Sequence, residues 1–290
     1  MSEAKNVMAS VRPALPNDFD GVRPLLDLFN NPRMRDEDWQ RLFRDHWNAG
    51  NGQVGYVLVD NSQIVGYLGL IFCFRKIDGV DHRFCNLTSW VTQEAYRNQS
   101  LLLQLPVLQI KDTTLTVFSA SLETFSTYEK LGYQLLDEYI RLLVPSTPTI
   151  SGHRYSITTD PALISKKLDR ASLKIFDDHK NFPCIHMLVE SAGQYSYLVI
   201  IQKFYKRLPY GQIIYLSHPR WFQLQSKNIV LRICRILGVL LLAVDERFWA
   251  TDLPMSGFRR RLKVPRLFKS KTVPRERVDL MYSEVPLLKV

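Results

Sequence analysis

The chain is 290 residues long, 46% hydrophobic and 23% charged, and carries a formal net charge of +10. These proportions are globular and the length is about two average domains, which excludes a disordered, collagen-like or coiled-coil chain. The charge is divided unevenly: residues 1–150 hold 14 Lys+Arg against 17 Asp+Glu (−3), and residues 151–290 hold 24 against 11 (+13). Such asymmetry points to two units in different surroundings and raises an anionic partner for the second. Residues 1–8 have no apolar run of the kind a secretory signal needs. Residues 236–244 are the most apolar stretch and are too short to cross a bilayer. Cys73, Cys85, Cys184 and Cys234 lie far apart with no C-x-x-C pair. The expectation is free thiols in a reducing cytoplasm rather than a disulfide framework or a metal centre.

In chain order, Val11-Arg12-Pro13-Ala14 predicts a short strand, and Asn17 or Asp18 caps a helix through Phe29. Asp36-Glu37-Asp38-Trp39 opens a second helix with carboxylates at its positive end and Trp39, Leu42, Phe43 and Trp47 inward. Residues 56–60 and 64–74 form a hairpin around Asn61-Ser62-Gln63, and residues 83–91 a further strand after Asp78-Gly79. Residues 99–110 have a helical apolar pattern, with Pro106 inside it. Residues 114–118 are β-branched and strand-like. A helix over 122–130, capped by Ser119 or Ser121 and closed by Gly132, leads into a strand over 133–144.

Residues 145–152 are a Pro/Ser/Thr/Gly cluster and the best linker in the chain. After it the order recurs: a helix over 161–176, strands over 185–190, 195–202 and 211–217, a helix over 221–237 and a strand over 239–245. A last strand is expected over 278–282. Helix, hairpin, strand, helix, strand thus occurs twice, which predicts a domain over 1–144, a linker over 145–152 and a second domain over 153–290. The implied class is α/β, a mixed sheet with helices on both faces.

The segment from Trp90 to Leu103 reads as a strand end, a polar turn and a helix start. Amides at such a start point outward at the positive end of the helix dipole, which suits a pyrophosphate, and Arg97 adds a side-chain charge. Here the chain resembles the GNAT (Gcn5-related N-acetyltransferase) superfamily. Glu94-Ala95-Tyr96-Arg97 resembles that family's Pro-x-Tyr-Arg lead-in, and Leu101-Leu102-Leu103 its apolar helix start. Ser100 and Leu102 stand where the family has two small residues. A second segment, Tyr128-Glu129-Lys130-Leu131-Gly132-Tyr133, resembles the family's Tyr-Glu-Lys-x-Gly-Phe, with Ser121 in place of its Asn. The opening residues 11–18 and the strand at Val65-Gly66-Tyr67-Leu68-Gly69 fit the same order, so the resemblance covers residues 10–144.

The resemblance implies two tandem GNAT-like domains, the second diverged, and transfer of an acetyl group from acetyl-CoA to an amine of a small molecule or sugar, without a metal. It places Trp90, Val91, Thr92, Arg97, Asn98, Gln99, Ser100, Leu101, Leu102 and Ser121 around the cofactor. Backbone amides near residues 89–92 would hold pantetheine and thioester, and Tyr128 would protonate the leaving thiolate. Transfer also needs a base for the amine. Glu94, Asp81, His82 and a water chain all remain open for it. The rival reading is a binding or regulatory module whose cofactor loop has decayed, with the basic second domain contacting an anionic partner. Arg259-Arg260-Arg261, Lys263, Arg266, Lys269, Lys271, Arg275 and Arg277 read as a solvated loop, or as a surface for an anionic substrate, a nucleic acid or a membrane. No aromatic strand motif of an RNA-binding domain accompanies them.

Overall fold

The computed structural model describes residues 9–147, 154–253 and 257–288. Most of the linker expected over 145–152 lies outside the described residues. Contacts divide the chain into two compact units. Unit 1 is the chain up to Ser119, joined by Phe268–Val273 and Tyr282–Leu288; unit 2 is Ala120–Leu267 with Pro274–Met281. No helix among the described residues is long and apolar enough to cross a membrane.

Unit 1 opens with β1 (Ser10–Ala14), α1 (Phe19–Leu26) and α2 (Asp36–Gln40). The strands β2 (Gly55–Asp60), β3 (Gln63–Ile77) and β4 (Val80–Thr92) follow, then a 3-10 stretch (Glu94–Gln104), α3 (Leu105–Leu108) and β5 (Thr113–Val117). The strands lie in the order β1-β2-β3-β4-β5. All neighbours are antiparallel except β4 and β5, which run parallel. The sequence dictates the hairpins. Asn61 and Ser62 (φ 45° and 66°), and Asp78 and Gly79 (φ 50° and 86°), take the left-handed backbone of tight two-residue turns, which Asn, Asp and Gly tolerate best. Between those turns Val65–Cys73 is buried without alternation, so β3 is covered on both faces. Val22, Leu25 and Leu26 of α1 and Trp39 of α2 turn inward at helical spacing. Trp47 is only half-buried.

Gly55 is fixed by crowding: a Cβ there would strike the Leu68 carbonyl oxygen and come within 2.8 Å of the Tyr67 ring. Gly55→Ala is expected to lower stability by about 2 kcal/mol, because the β2–β3 backbones must part to admit it. A denaturant midpoint unchanged from the wild type would disprove this.

Unit 2 comprises α4 (Leu122–Lys130), β6 (Gln134–Leu143), β7 (Ser156–Thr158), α5 (Pro161–Ser165), α6 (Arg170–His179), β8 (Ile185–Ser191), β9 (Gln194–Tyr205), β10 (Leu208–Leu216), α7 (Pro219–Leu237), β11 (Leu242–Asp245) and most of β12 (Phe258–Lys269). Its strands are ordered β12-β6-β11-β10-β9-β8-β7. Here too a helix, α7, connects two parallel neighbours, β10 and β11. Phe222, Ile229, Val230 and Ile233 of α7 bury against Met187, Val189, Leu198, Ile200, Ile213 and Val244 of the sheet. The last element, α8 (Glu284–Leu288), belongs to unit 1.

Four expectations are corrected. The helix over 99–110 is instead a 3-10 stretch that turns α-helical only at Leu105. Pro106 has no N–H, and inside an α-helix its ring would press on the Leu102 carbonyl. The α form can therefore begin only with Pro106 in its first turn. The helix over 161–176 is two, because Asp160 and Asp169 each cap a separate start, accepting from the amides of Ala162 and Ser172. Residues 278–282 form no strand. The basic loop is largely β12. Three of its four arginines have carboxylate partners: Arg259 meets Glu246 (2.6 Å) and Arg261 meets Glu138 (2.7 Å). Arg266 is buried against Asp137 and Asp245, which Arg247 also contacts.

Candidate functional site

In unit 1, β4 and β5 pair in parallel only from Arg83/Thr113 to Asn86/Thr116. Beyond Asn86, β4 continues to Thr92 with no β5 residue in register beside it. That leaves the β5-side edge of Leu87–Thr92 to present backbone N–H and C=O groups. A bulge shapes this edge. Tyr67 and Gly69 of β3 lie opposite Val91 and Thr88, so β4 carries an extra residue, and Ser89 takes the left-handed backbone (φ 52°). Gly66 lets β3 pass close under this stretch, since a Cβ on it would lie 2.7 Å from the Thr92 methyl carbon.

The 3-10 stretch starts just past the bulge and is pinned at four points. The Gln93 amide donates to the Val65 carbonyl (2.9 Å). The Tyr96 hydroxyl donates to Asp60 Oδ2 (2.5 Å), a bond that raises the Tyr96 pKa above the usual phenol value. The Trp90 indole donates to the Ser100 carbonyl (3.3 Å), and the Gln99 side-chain oxygen accepts from the Ala9 amide (2.9 Å). Leu103 and Gln104 are buried beneath. Of the residues expected around a cofactor, Trp90, Val91 and Thr92 therefore lie on the edge of β4. Glu94, Arg97, Asn98 and Leu101 are exposed on the following turn, and Gln99, Ser100 and Leu102 are half-buried. Trp90 and Gln99 already use their side chains to hold the stretch in place. Asp81 and His82 sit at the far end of β4, seven or more residues before the bulge.

Ser121 and Tyr128 belong to unit 2. Ser121 is the N-cap of α4 and accepts from the Thr124 amide (3.2 Å). Tyr128 is buried on the same helix, edge-on to the Tyr133 ring (5.1 Å between centroids), and Gly132 closes the helix at φ 84°.

One residue escaped the sequence reading. Glu284, on the C-terminal segment of unit 1, is 1% exposed. Its Oε1 accepts from the Ser119 hydroxyl (2.6 Å), two residues past the end of β5. Its amide donates to Asn86 Oδ1 (3.4 Å), while Asn86 Nδ2 donates to the carbonyl and hydroxyl oxygens of Thr116 (3.3 and 3.1 Å). Glu284 thus stands where β4 and β5 part. Tyr282 beside it packs edge-on to Trp47 (4.9 Å) and lies under the Arg75 guanidinium (5.7 Å). Its sequence signal was a lone acid in an apolar run, Met281-Tyr282-Ser283-Glu284-Val285-Pro286-Leu287-Leu288. Chemically, the parting strands offer amide donors and acceptors for an extended ligand, and the Ser119–Glu284 pair offers a proton acceptor. No group of three or more His, Cys, Asp or Glu side chains able to hold a metal ion occurs among the described residues.

No protein-family model matches the chain. No curated protein matches it either. Solved structures do. A GCN5-related N-acetyltransferase from Kribbella flavida aligns with a TM-score of 0.61 at 12% identity, over 91% of this chain and 72% of that one. A probable N-acyltransferase from Enterococcus faecalis V583 aligns at 0.57 and 14%, over 90% and 72%. A GCN5-related glucosamine N-acetyltransferase region of a fungal multi-domain GH3 β-N-acetylglucosaminidase aligns at 0.56 and 12%, over 92% and 39%.

Proposed function

We propose, from the premise that this chain has the fold of the GCN5-related N-acetyltransferases, that it is an acyltransferase carrying an acetyl group from acetyl-CoA to an amine. The observation that carries the reading is the parting of β4 from β5 with a bulge at Ser89 and an exposed Arg97 just beyond. The edge from Ser89 to Thr92 hydrogen-bonds the pantetheine amides and the thioester carbonyl, where oriented amides favour developing negative charge. Arg97, Asn98 and the first amides of the 3-10 stretch take the pyrophosphate, with Gln99, Ser100, Leu101 and Leu102 as the wall behind it. Ser119 accepts the amine proton as it passes its own to Glu284; Glu94, exposed at the start of the 3-10 stretch, is the alternative base. Tyr128 is the acid for the thiolate, a role it takes from the motif Tyr128-Glu129-Lys130-Leu131-Gly132. The acceptor is a small amine or amino sugar, and glucosamine is the first to try, because one structural neighbour is a glucosamine N-acetyltransferase region. The recurring order of elements supports tandem copies over 1–144 and 153–290, with α4 and β6 of the first packed into unit 2 and Phe268–Val273 and Tyr282–Leu288 of the second into unit 1.

The cofactor step is tested by calorimetry. Acetyl-CoA should release or absorb heat on binding, and Arg97→Ala should bind it about tenfold more weakly, the worth of one charge-assisted contact. The absence of heat at millimolar acetyl-CoA would overturn the reading. A second reading, a module that binds without turnover, is favoured by Ser100 and Leu102, whose side chains narrow the backbone's approach to phosphates. Heat without acetyl transfer to any of a panel of amines would select it.

A further inference from the structure

One end of unit 2 gathers exposed apolar side chains and positive charge. The register places its residues. Gly211 of β10 pairs with Leu242 of β11, and Leu242 with Leu143 of β6. The Leu240 amide donates to the Pro209 carbonyl (3.0 Å), and a Cβ on Gly257 would strike the Leu142 carbonyl. The β9–β10 turn, the end of β6, the loop after α7 and the start of β12 therefore share this end of the sheet. Phe204 (50% exposed), Tyr205 (50%), Leu208 (56%), Leu240 (54%) and Phe258 (69%) all face solvent on these segments. Lys206 and Arg207 form the turn, and Arg260 lies over the Tyr205 ring, 4.5 Å from its centre. Among the described residues, Lys206, Arg207 and Arg260 form no salt bridge. These segments themselves carry no acid: Asp and Glu are absent from residues 191–244 and again from 253–275.

We propose that this end of unit 2 docks onto an anionic lipid bilayer. Five large apolar side chains left in water beside three uncompensated cations match the interfacial zone of such a membrane. There aromatic and leucine side chains sit at headgroup depth, and each Lys or Arg is attracted by anionic lipid. Single-stranded nucleic acid fits less well. It needs open aromatic platforms, whereas one face of Tyr205 is already covered by Arg260, and Leu208 and Leu240 have no ring to stack. A second copy of the same surface would set Lys206, Arg207 and Arg260 against their own like charges.

Flotation with vesicles tests the assignment, comparing pure phosphatidylcholine with phosphatidylcholine containing phosphatidylglycerol. The full chain should float with the anionic vesicles and not with the neutral ones, and less as salt rises. The variants Lys206→Glu/Arg207→Glu and Phe204→Ser/Leu208→Ser should each lower the bound fraction by about tenfold or more. The exposed pair Lys166→Glu/Arg170→Glu, on the segments around α5 and α6, should leave it unchanged. Acetyl-CoA binding by the same variants reports that they are folded and is independent of the docking surface. No flotation at low salt, equal flotation with neutral vesicles, or equal losses from the control pair would overturn the proposal. So would a concentration-dependent dimer, or binding of an oligouridylate, that the turn variants abolish while vesicle binding is absent.

Discussion

Asp245→Ala is expected to destabilise unit 2 by about 3–5 kcal/mol, the usual cost of breaking a buried ion pair from one side. Asp245 ends β11 with no exposed surface and meets both Arg247 (3.0 Å) and Arg266. Asp137 of β6 also contacts both guanidiniums, and it too is buried. Two cations facing two anions are nearly neutral as a set. Removing one anion leaves a net positive charge in a place water does not reach, and neither long arginine can withdraw without opening the sheet. The measurement is the thermal midpoint of the full chain, with far-ultraviolet dichroism to show which fraction of the structure melts early. Replacing the whole set with apolar residues of similar volume should cost much less than the single change, since the desolvation of the ions disappears with them. A single variant that melts with the wild type would mean that water reaches the cluster.

Glu284→Gln is the second large effect expected, here on turnover. If the Ser119–Glu284 pair takes the amine proton, the variant should lose about a hundredfold or more in kcat, the typical worth of a positioned base. Its acetyl-CoA affinity should stay at the wild-type value, because the proposed pyrophosphate contacts lie on the 3-10 stretch. Glutamine keeps the size and can still accept from Ser119, so the fold is retained. Ser119→Ala should give a smaller loss, since a water can stand in for one hydroxyl. The loss should fall on kcat and leave KM for acetyl-CoA unchanged, which a merely structural residue would not do. Unchanged turnover would move the base to Glu94.

Most of the strands were legible because local chemistry fixed them. Asn61-Ser62 and Asp78-Gly79 announced their turns, and the apolar run over 64–74 announced a strand. The crowding at Gly55 and Gly66 and the bulge at Ser89 were not legible, since they depend on which residues of neighbouring strands end up opposite. The basic run misled for a related reason. Arg259, Arg261 and Arg266 read as solvated charge because their partners, Glu138 and Asp137 on β6, Asp245 on β11 and Glu246 just after it, stand earlier in the chain. Pro106 was visible, but its consequence for the cofactor turn required knowing that the helix must start after Gln104 rather than at Gln99. Tyr128 is a candidate on its motif alone. Glu284 carried only the faint signal of one acid among apolar neighbours.

The return of the C-terminal segment to unit 1 has a bearing on how the protein is made. Arg41 donates to the Leu287 carbonyl (3.1 Å) across 246 residues, and Asn86 meets Glu284 across 198. Between strands β1–β5 and the carboxylate at the point where β4 and β5 part lie the helices and strands of unit 2. Contacts so distant in sequence form late. Until that segment docks, unit 1 lacks the buried side chains of Val285, Leu287 and Leu288. A fragment cut within 145–152 would lose both the Glu284 segment and the neighbours of β6, strands β11 and β12.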